Sequence, residues 1–121
     1  MLRSEHAYSG FAVTDIRAAK EFYGQTLGLQ VTEANGMLRL HLSVSHYVLI
    51  YPKADHTPAS YTILNFSVED IDAAVDELAG RGLAFEHYQG LTDDRGIHRD
   101  DGPPIAWFTD PSGNILSIIQ E

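Results

Sequence analysis

The chain contains one passage twice. FAVTDIRAAKEFY, starting at Phe11, aligns with FSVEDIDAAVDEL, starting at Phe66, which sets Phe11 on Phe66, Val13 on Val68, Asp15 on Asp70 and Ile16 on Ile71. Ala18 and Ala19 then fall on Ala73 and Ala74, and after the loss of one residue Gly28-Leu29 falls on Gly82-Leu83. Self-similarity of this kind means that the chain is built from two copies of one supersecondary unit.

The hydrophobic period changes inside each copy. Around Phe11 and Val13, and around Leu64, Phe66 and Val68, apolar residues alternate with smaller or polar ones, as a half-buried strand requires. Asp15 and Asp70 stand where a carboxylate can cap a helix. Ile16, Ala19, Phe22, Tyr23 and Leu27, and likewise Ile71, Ala74, Val75 and Leu78, then recur at helical spacing. Gly28 and Gly82 follow as left-handed C-caps. Strands are predicted near 29–32, 37–42 and 47–51 in the first copy, and near 83–87, 105–109 and 115–119 in the second. Asn35-Gly36 and Ser112-Gly113-Asn114 are tight-turn signals. The order in each copy is strand, helix and three strands, an α+β arrangement of two tandem βαβββ modules, one over about 5–52 and the other over about 60–121. The stretch 53–60, with Pro58, links them within a single domain. The stretch 89–104 is longer than a hairpin needs and reads either as a solvated loop or as a lid over a pocket.

Composition removes several function classes. Seventeen Asp and Glu against eight Lys and Arg give a net charge of −9. A body so charged, with scattered cations, is repelled by nucleic-acid phosphates and anionic membranes, so neither is an expected partner. The absence of Cys excludes disulfides, thiolate metal sites and thiol nucleophiles. MLRSEHAYSG lacks the apolar stretch of a secretory signal, and the apolar run Tyr47 to Tyr51 is too short to span a bilayer, so the expectation is a soluble cytoplasmic protein.

The two βαβββ copies, F-x-V-x-D-I opening each helix, EFYGQTLGL closing the first and FTDPSGNILSI near the end together resemble the vicinal oxygen chelate superfamily. That superfamily includes glyoxalase I, extradiol dioxygenases, fosfomycin-resistance enzymes and bleomycin-resistance proteins. The resemblance covers nearly the whole chain and implies incomplete β-barrel halves that enclose a cup. It also implies where metal ligands would stand in metal-using members: seven residues before each helix-capping Asp, at Tyr8 and Ile63, and on each last strand, at Ser117 and at Leu49, or Ile50 on a shifted register. Leu and Ile offer no donor atom to a divalent cation, so the expectation is that the chain uses no metal and no other cofactor. A divalent metal remains the alternative.

Strand parity then predicts the cup lining. With Leu64, Phe66 and Val68 facing the helix, Ile63, Asn65 and Ser67 face the cup. By the same alternation Arg39 and His41, then Tyr47, Leu49 and Tyr51, then Ile105, Trp107 and Thr109 line it, while Phe108 packs inward. The candidate substrate-binding residues are Tyr8, Arg39, Tyr47, Tyr51, Asn65, Trp107 and Ser117. Aromatic side chains supply apolar faces with a polar edge, and Arg supplies a forked donor for carboxylate or phosphate. His41 is the candidate general base, since imidazole titrates near neutrality. The remaining His residues, His6, His46, His56, His87 and His98, show no metal-ligand spacing. No phosphate loop, nucleophile elbow or GxGxxG occurs.

Two functions fit: a metal-free cup that binds a small aromatic or anionic compound, and an enzyme. The enzyme is a glyoxalase-like lyase or isomerase, or a relative of the dioxygenases, working with a metal or with His41 as base and Arg39 as electrostatic stabiliser. Open sheet edges and apolar rims further predict a homodimer.

Overall fold

Both capping carboxylates perform the task that their positions suggest. In the computed structural model, which describes residues 1–121, Asp15 Oδ1 accepts hydrogen bonds from the Arg17 and Ala18 amides at 3.0 and 3.1 Å. Asp70 Oδ1 accepts from the Ala73 amide at 3.1 Å. Each satisfies amides that the first helical turn leaves without a partner. The helices are α1 (Ile16–Glu21) and α2 (Ile71–Gly80).

The first helix differs from the expectation of one continuous run to Leu27. α1 gives way to a π-turn over Phe22–Thr26, in which the Leu27 amide donates to the Phe22 carbonyl at 2.9 Å. The wider turn keeps Tyr23 fully buried against Phe22 and Phe11, with ring centroids at 5.1 and 5.8 Å. Gly28 (φ 72°) and Gly82 (φ 95°) then end the two helical segments in the left-handed region, where a Cβ would be strained.

The first module contains β1 (Gly10–Val13), β2 (Gln30–Ala34), β3 (Met37–His41) and β4 (Tyr47–Pro52). The second contains β5 (Thr62–Val68), β6 (Ile97–His98), β7 (Ile105–Thr109) and β8 (Ile115–Gln120). Each forms a four-stranded mixed sheet, ordered β1-β4-β3-β2 and β5-β8-β7-β6, with one parallel pair, β1 with β4 or β5 with β8. The identical order shows the sequence duplication as topology. Neither sheet closes into a barrel. The two compact units divide between His56 and Thr57, inside the predicted linker.

Burial follows strand parity. Leu38 and Leu40, Val48 and Ile50, Ala106 and Phe108, and Leu116 and Ile118 are buried on the helix side with Ala19, Tyr23, Ile71 and Val75. Their neighbours on the opposite faces are half-buried or exposed, Ser117 excepted. The turn signals hold as well. Asn35 and Gly36 both take positive φ between β2 and β3, the twist that a two-residue hairpin needs. Asp110 Oδ1 accepts from the Ser112 and Asn114 amides, each at 2.9 Å, before β8.

One strand lies elsewhere than expected. The stretch 83–87 is not a strand, although Leu83 and Phe85 are buried in alternation. The edge of β7 is shared: the Glu86 amide takes the Trp107 carbonyl at 2.8 Å, while β6, from within the supposed loop, pairs with Ala106 and Ile105. Ile97 is buried on the helix side and so anchors β6 there. No helix is long and apolar enough to cross a membrane.

Candidate functional site

In the first module, β3 and β4 bring Arg39, His41 and Tyr47 to one face. Arg39 lies directly opposite Leu49, and His41 opposite Tyr47, in the antiparallel ladder. The Arg39 guanidinium carbon stands 4.6 Å from the centre of the Tyr47 ring, a cation–π contact. Tyr8, just before β1, stacks on the same ring at 4.7 Å. These residues, with Met37, Leu49, Ala34 and Asn35, line a hollow of about 140 Å³. No carboxylate pairs with Arg39. The three arginines of the second module, by contrast, are all in ion pairs: Arg81 with Glu77, Arg95 with Asp72 and Asp76, Arg99 with Asp72 and Asp93. Tyr51 is exposed at the far end of β4 and does not line this hollow.

His41 is held by its Nε2, which lies 2.8 Å from the Thr32 hydroxyl on β2. No carboxylate orients the imidazole, so the arrangement lacks the third group that normally sets the tautomer of a catalytic base. His41 also borders a wide, open hollow lined by Gln30, Leu42, Ser43 and Val44.

In the second module, Asn65, Ser117 and Trp107 form one row across β5, β8 and β7. Ser117 is fully buried, and its hydroxyl donates to Asn65 Oδ1 at 2.5 Å. That engages the serine within the sheet and orients the exposed Asn65 amide. Trp107 is half-buried, with Tyr88 edge-on at 5.7 Å and His98 stacked at 6.1 Å. Nothing in the sequence marks Tyr88, and His98 stands there as one of several dispersed imidazoles. The alternation Ile97-His98, apolar then polar, was the available signal; without the two-residue strand it had no face to refer to.

The ladders also choose between Leu49 and Ile50, the two candidates that the resemblance leaves for the last strand of the first module. Gly10 pairs with Leu49 just as Asn65 pairs with Ser117, so Leu49, and not Ile50, is the counterpart of Ser117. With Tyr8 and Ile63, which the resemblance implies, the set at those positions is Tyr8, Leu49, Ile63 and Ser117. Two of these have no donor atom, and the Ser117 hydroxyl is engaged with Asn65. The set does not fit a divalent cation. No group of three or more His, Asp or Glu side chains elsewhere is arranged to hold one.

Two carboxylates of the second module have shifted acidities. The hydrogen bond and charge of Arg99, with Arg95 adding its charge, hold Asp72 below the usual carboxylate range despite partial burial. Burial pushes Asp93 up, but the Ile97 and Arg95 amides and the Arg99 guanidinium outweigh it, so Asp93 also lies low. Arg99 is raised in turn, first by its hydrogen bonds to Asp72 and Asp93.

The sequence model of the Glyoxalase/Bleomycin resistance protein/Dioxygenase superfamily matches residues 6–118, and the chain belongs to that family. Among solved structures, the chain is similar to a glyoxalase family protein from Enterococcus faecalis, at 25% identity and a TM-score of 0.69, over 93% of this chain and 94% of that one. It is similar in fold to TnmS3, an antibiotic binding protein from Streptomyces sp. CB03234, at 22% identity and a TM-score of 0.67, over 94% of both chains. The fosfomycin resistance protein FosX from Mesorhizobium loti shares the fold at 13% identity and a TM-score of 0.66, over 95% of this chain and 90% of that one. No curated protein matches the sequence.

Proposed function

We propose that the chain is a small-molecule-binding member of its family and that the first module receives a single aromatic ring carrying a carboxylate or similar anion. The observation that carries this reading is Arg39, a cation with no carboxylate partner, held over Tyr47 at 4.6 Å beside an apolar hollow. Arg offers a planar fork to an oxyanion, while Tyr8, Met37 and Leu49 offer contact to a ring. The hollow, about 140 Å³, limits the ligand. Engineered cavities of roughly 150 Å³ accept benzene, whereas drug-sized sites run to about 300–1,000 Å³, so this face takes one ring of a ligand. In the second module, the Trp107 face with the Asn65 amide is a further aromatic contact surface. Binding by an antibiotic-binding relative of the same fold is in keeping with this reading.

The enzyme reading has less support, because His41 has no orienting carboxylate and the donor set does not suit a metal. Titration with benzoate and benzamide, read by thermal shift, tests the proposal. Benzoate should raise the melting temperature at lower concentration than benzamide, since a ligand of the native state stabilises by mass action. Equal shifts, or none with any aromatic anion, would overturn it.

A further inference from the structure

The segment from Tyr88 to Arg99 is bound together internally. The Tyr88 carbonyl accepts from the Leu91 and Thr92 amides, and the Thr92 hydroxyl accepts from the Tyr88 amide at 2.9 Å. His98 Nδ1 lies 2.8 Å from the Leu91 carbonyl. Asp93 Oδ1 accepts from the Arg95 and Ile97 amides, each at 2.9 Å. These bonds tie residues 88–98 into one connected piece. Two β6–β7 pairs and the buried side chain of Ile97 fix the middle of the segment to the sheet. At Gly96 the backbone comes so close that a Cβ would stand 3.0 Å from both the Glu86 carbonyl oxygen and the Phe85 side chain.

Charge provides the rest. Arg95 reaches Asp72 of α2 at 2.6 Å, the Asp72 carbonyl at 3.1 Å and also Asp76. Arg99 reaches Asp72 at 2.6 Å and Asp93 at 3.1 Å. Arg95 and Arg99 both reach α2, and Ile97, opposite buried Ala106 in the ladder, faces the helix side between them. His98 emerges on the other side and stacks on Trp107, which Tyr88 meets edge-on.

We propose that Arg95 and Arg99 are positioning residues for the Trp107 face: their clasp on Asp72 and Asp76 holds the 88–99 segment so that Tyr88 and His98 flank the indole, and release of the clasp bares it. The part this plays in ligand capture rests on the binding reading above, whereas the positional claim is measurable without any ligand. The paired side chains are one-third to three-quarters exposed, so salt weakens the clasp. Outside the buried Gly96-Ile97 step, the clasp is the segment's tie to α2.

Trp107 is the only Trp, so its emission and its quenching by acrylamide report this face alone. Asp72→Asn should red-shift the emission and raise the quenching constant, with helical circular dichroism unchanged. Asp72→Glu, which keeps the charge, should restore both. A folded Asp72→Asn protein whose Trp107 is quenched as in the wild type would overturn the proposal. Should that variant fail to fold, the wild-type protein decides: quenching must rise between low salt and about 1 M NaCl, where the Debye length is roughly 3 Å. A constant value there, with the fold intact, overturns it equally. Benzoate binding lost while these responses remain would sink the function proposed above and leave this inference standing; the reverse pattern would sink this one alone.

Discussion

Replacing Arg39 by Ala isolates the electrostatic part of the proposed site. In the free protein, the substitution removes a cation–π contact with Tyr47 at an exposed position. Such contacts are worth about 0.5–1 kcal/mol, so the fold should lose no more than that. In the complex, it removes a charge-assisted, forked pair of hydrogen bonds to the anion, each of a class worth about 1.5–3 kcal/mol. Arg39 is exposed and screened, so the pair together should supply only what one such bond does at its lower end: a loss of about 1.5–2 kcal/mol, or roughly tenfold to thirtyfold in Kd. Benzamide makes no such pair and should bind both proteins alike. Calorimetric titration of wild-type and Arg39→Ala protein with both compounds measures the effect. A preference for benzoate that survives in Arg39→Ala would remove Arg39 from the site. Equal losses for both compounds would mean that Arg39 acts only by packing on Tyr47.

Asp72 and Asp93 ionise more readily in the folded chain than in the unfolded one, so they stabilise it above the usual carboxylate range, and that contribution disappears as pH falls through their lowered values. Urea midpoints should accordingly fall on acidification, and less steeply in Asp72→Asn. Asp110→Ala should cost about 3 kcal/mol or more in urea unfolding, because it strips the acceptor from the Ser112 and Asn114 amides and from the buried Asn114 side-chain amide; a loss under about 1 kcal/mol would show that water replaces the carboxylate. The purified protein should keep its melting temperature in chelator and carry no stoichiometric divalent metal by elemental analysis, and one Zn, Ni, Mn or Fe per chain retained through dialysis would refute this. Each module leaves two sheet edges open, so light scattering should give twice the 13.4 kDa chain mass; a monomer at micromolar concentration would refute the dimer.

Much of the fold is local and was therefore legible in the residues. Asp15 and Asp70 cap helices because a carboxylate in that position meets free amides whatever the tertiary structure. Leu38, Leu40, Val48 and Ile50 are buried, and Arg39 and Tyr47 face the other way, because side chains alternate along any strand. The duplicated passage required the two sheets to share one strand order. Contacts between residues distant in sequence were decided elsewhere. Tyr8 stacks on Tyr47, and Arg39 lies over the same ring, only because β1, β3 and β4 bring them together, and no periodicity specifies which rotamers meet. Ser117 is a candidate ligand contact in the sequence, and only the β5–β8 register sets Asn65 beside it to take its hydroxyl. The outer strand of the second module comes from Ile97-His98, not from 83–87: Ile97 is buried on the helix side, and Arg95 and Arg99 on either side of it find partners on α2, across more than twenty residues of chain. Pairing at that range depends on the packed arrangement of helix and sheet, which the pattern of single residues does not encode.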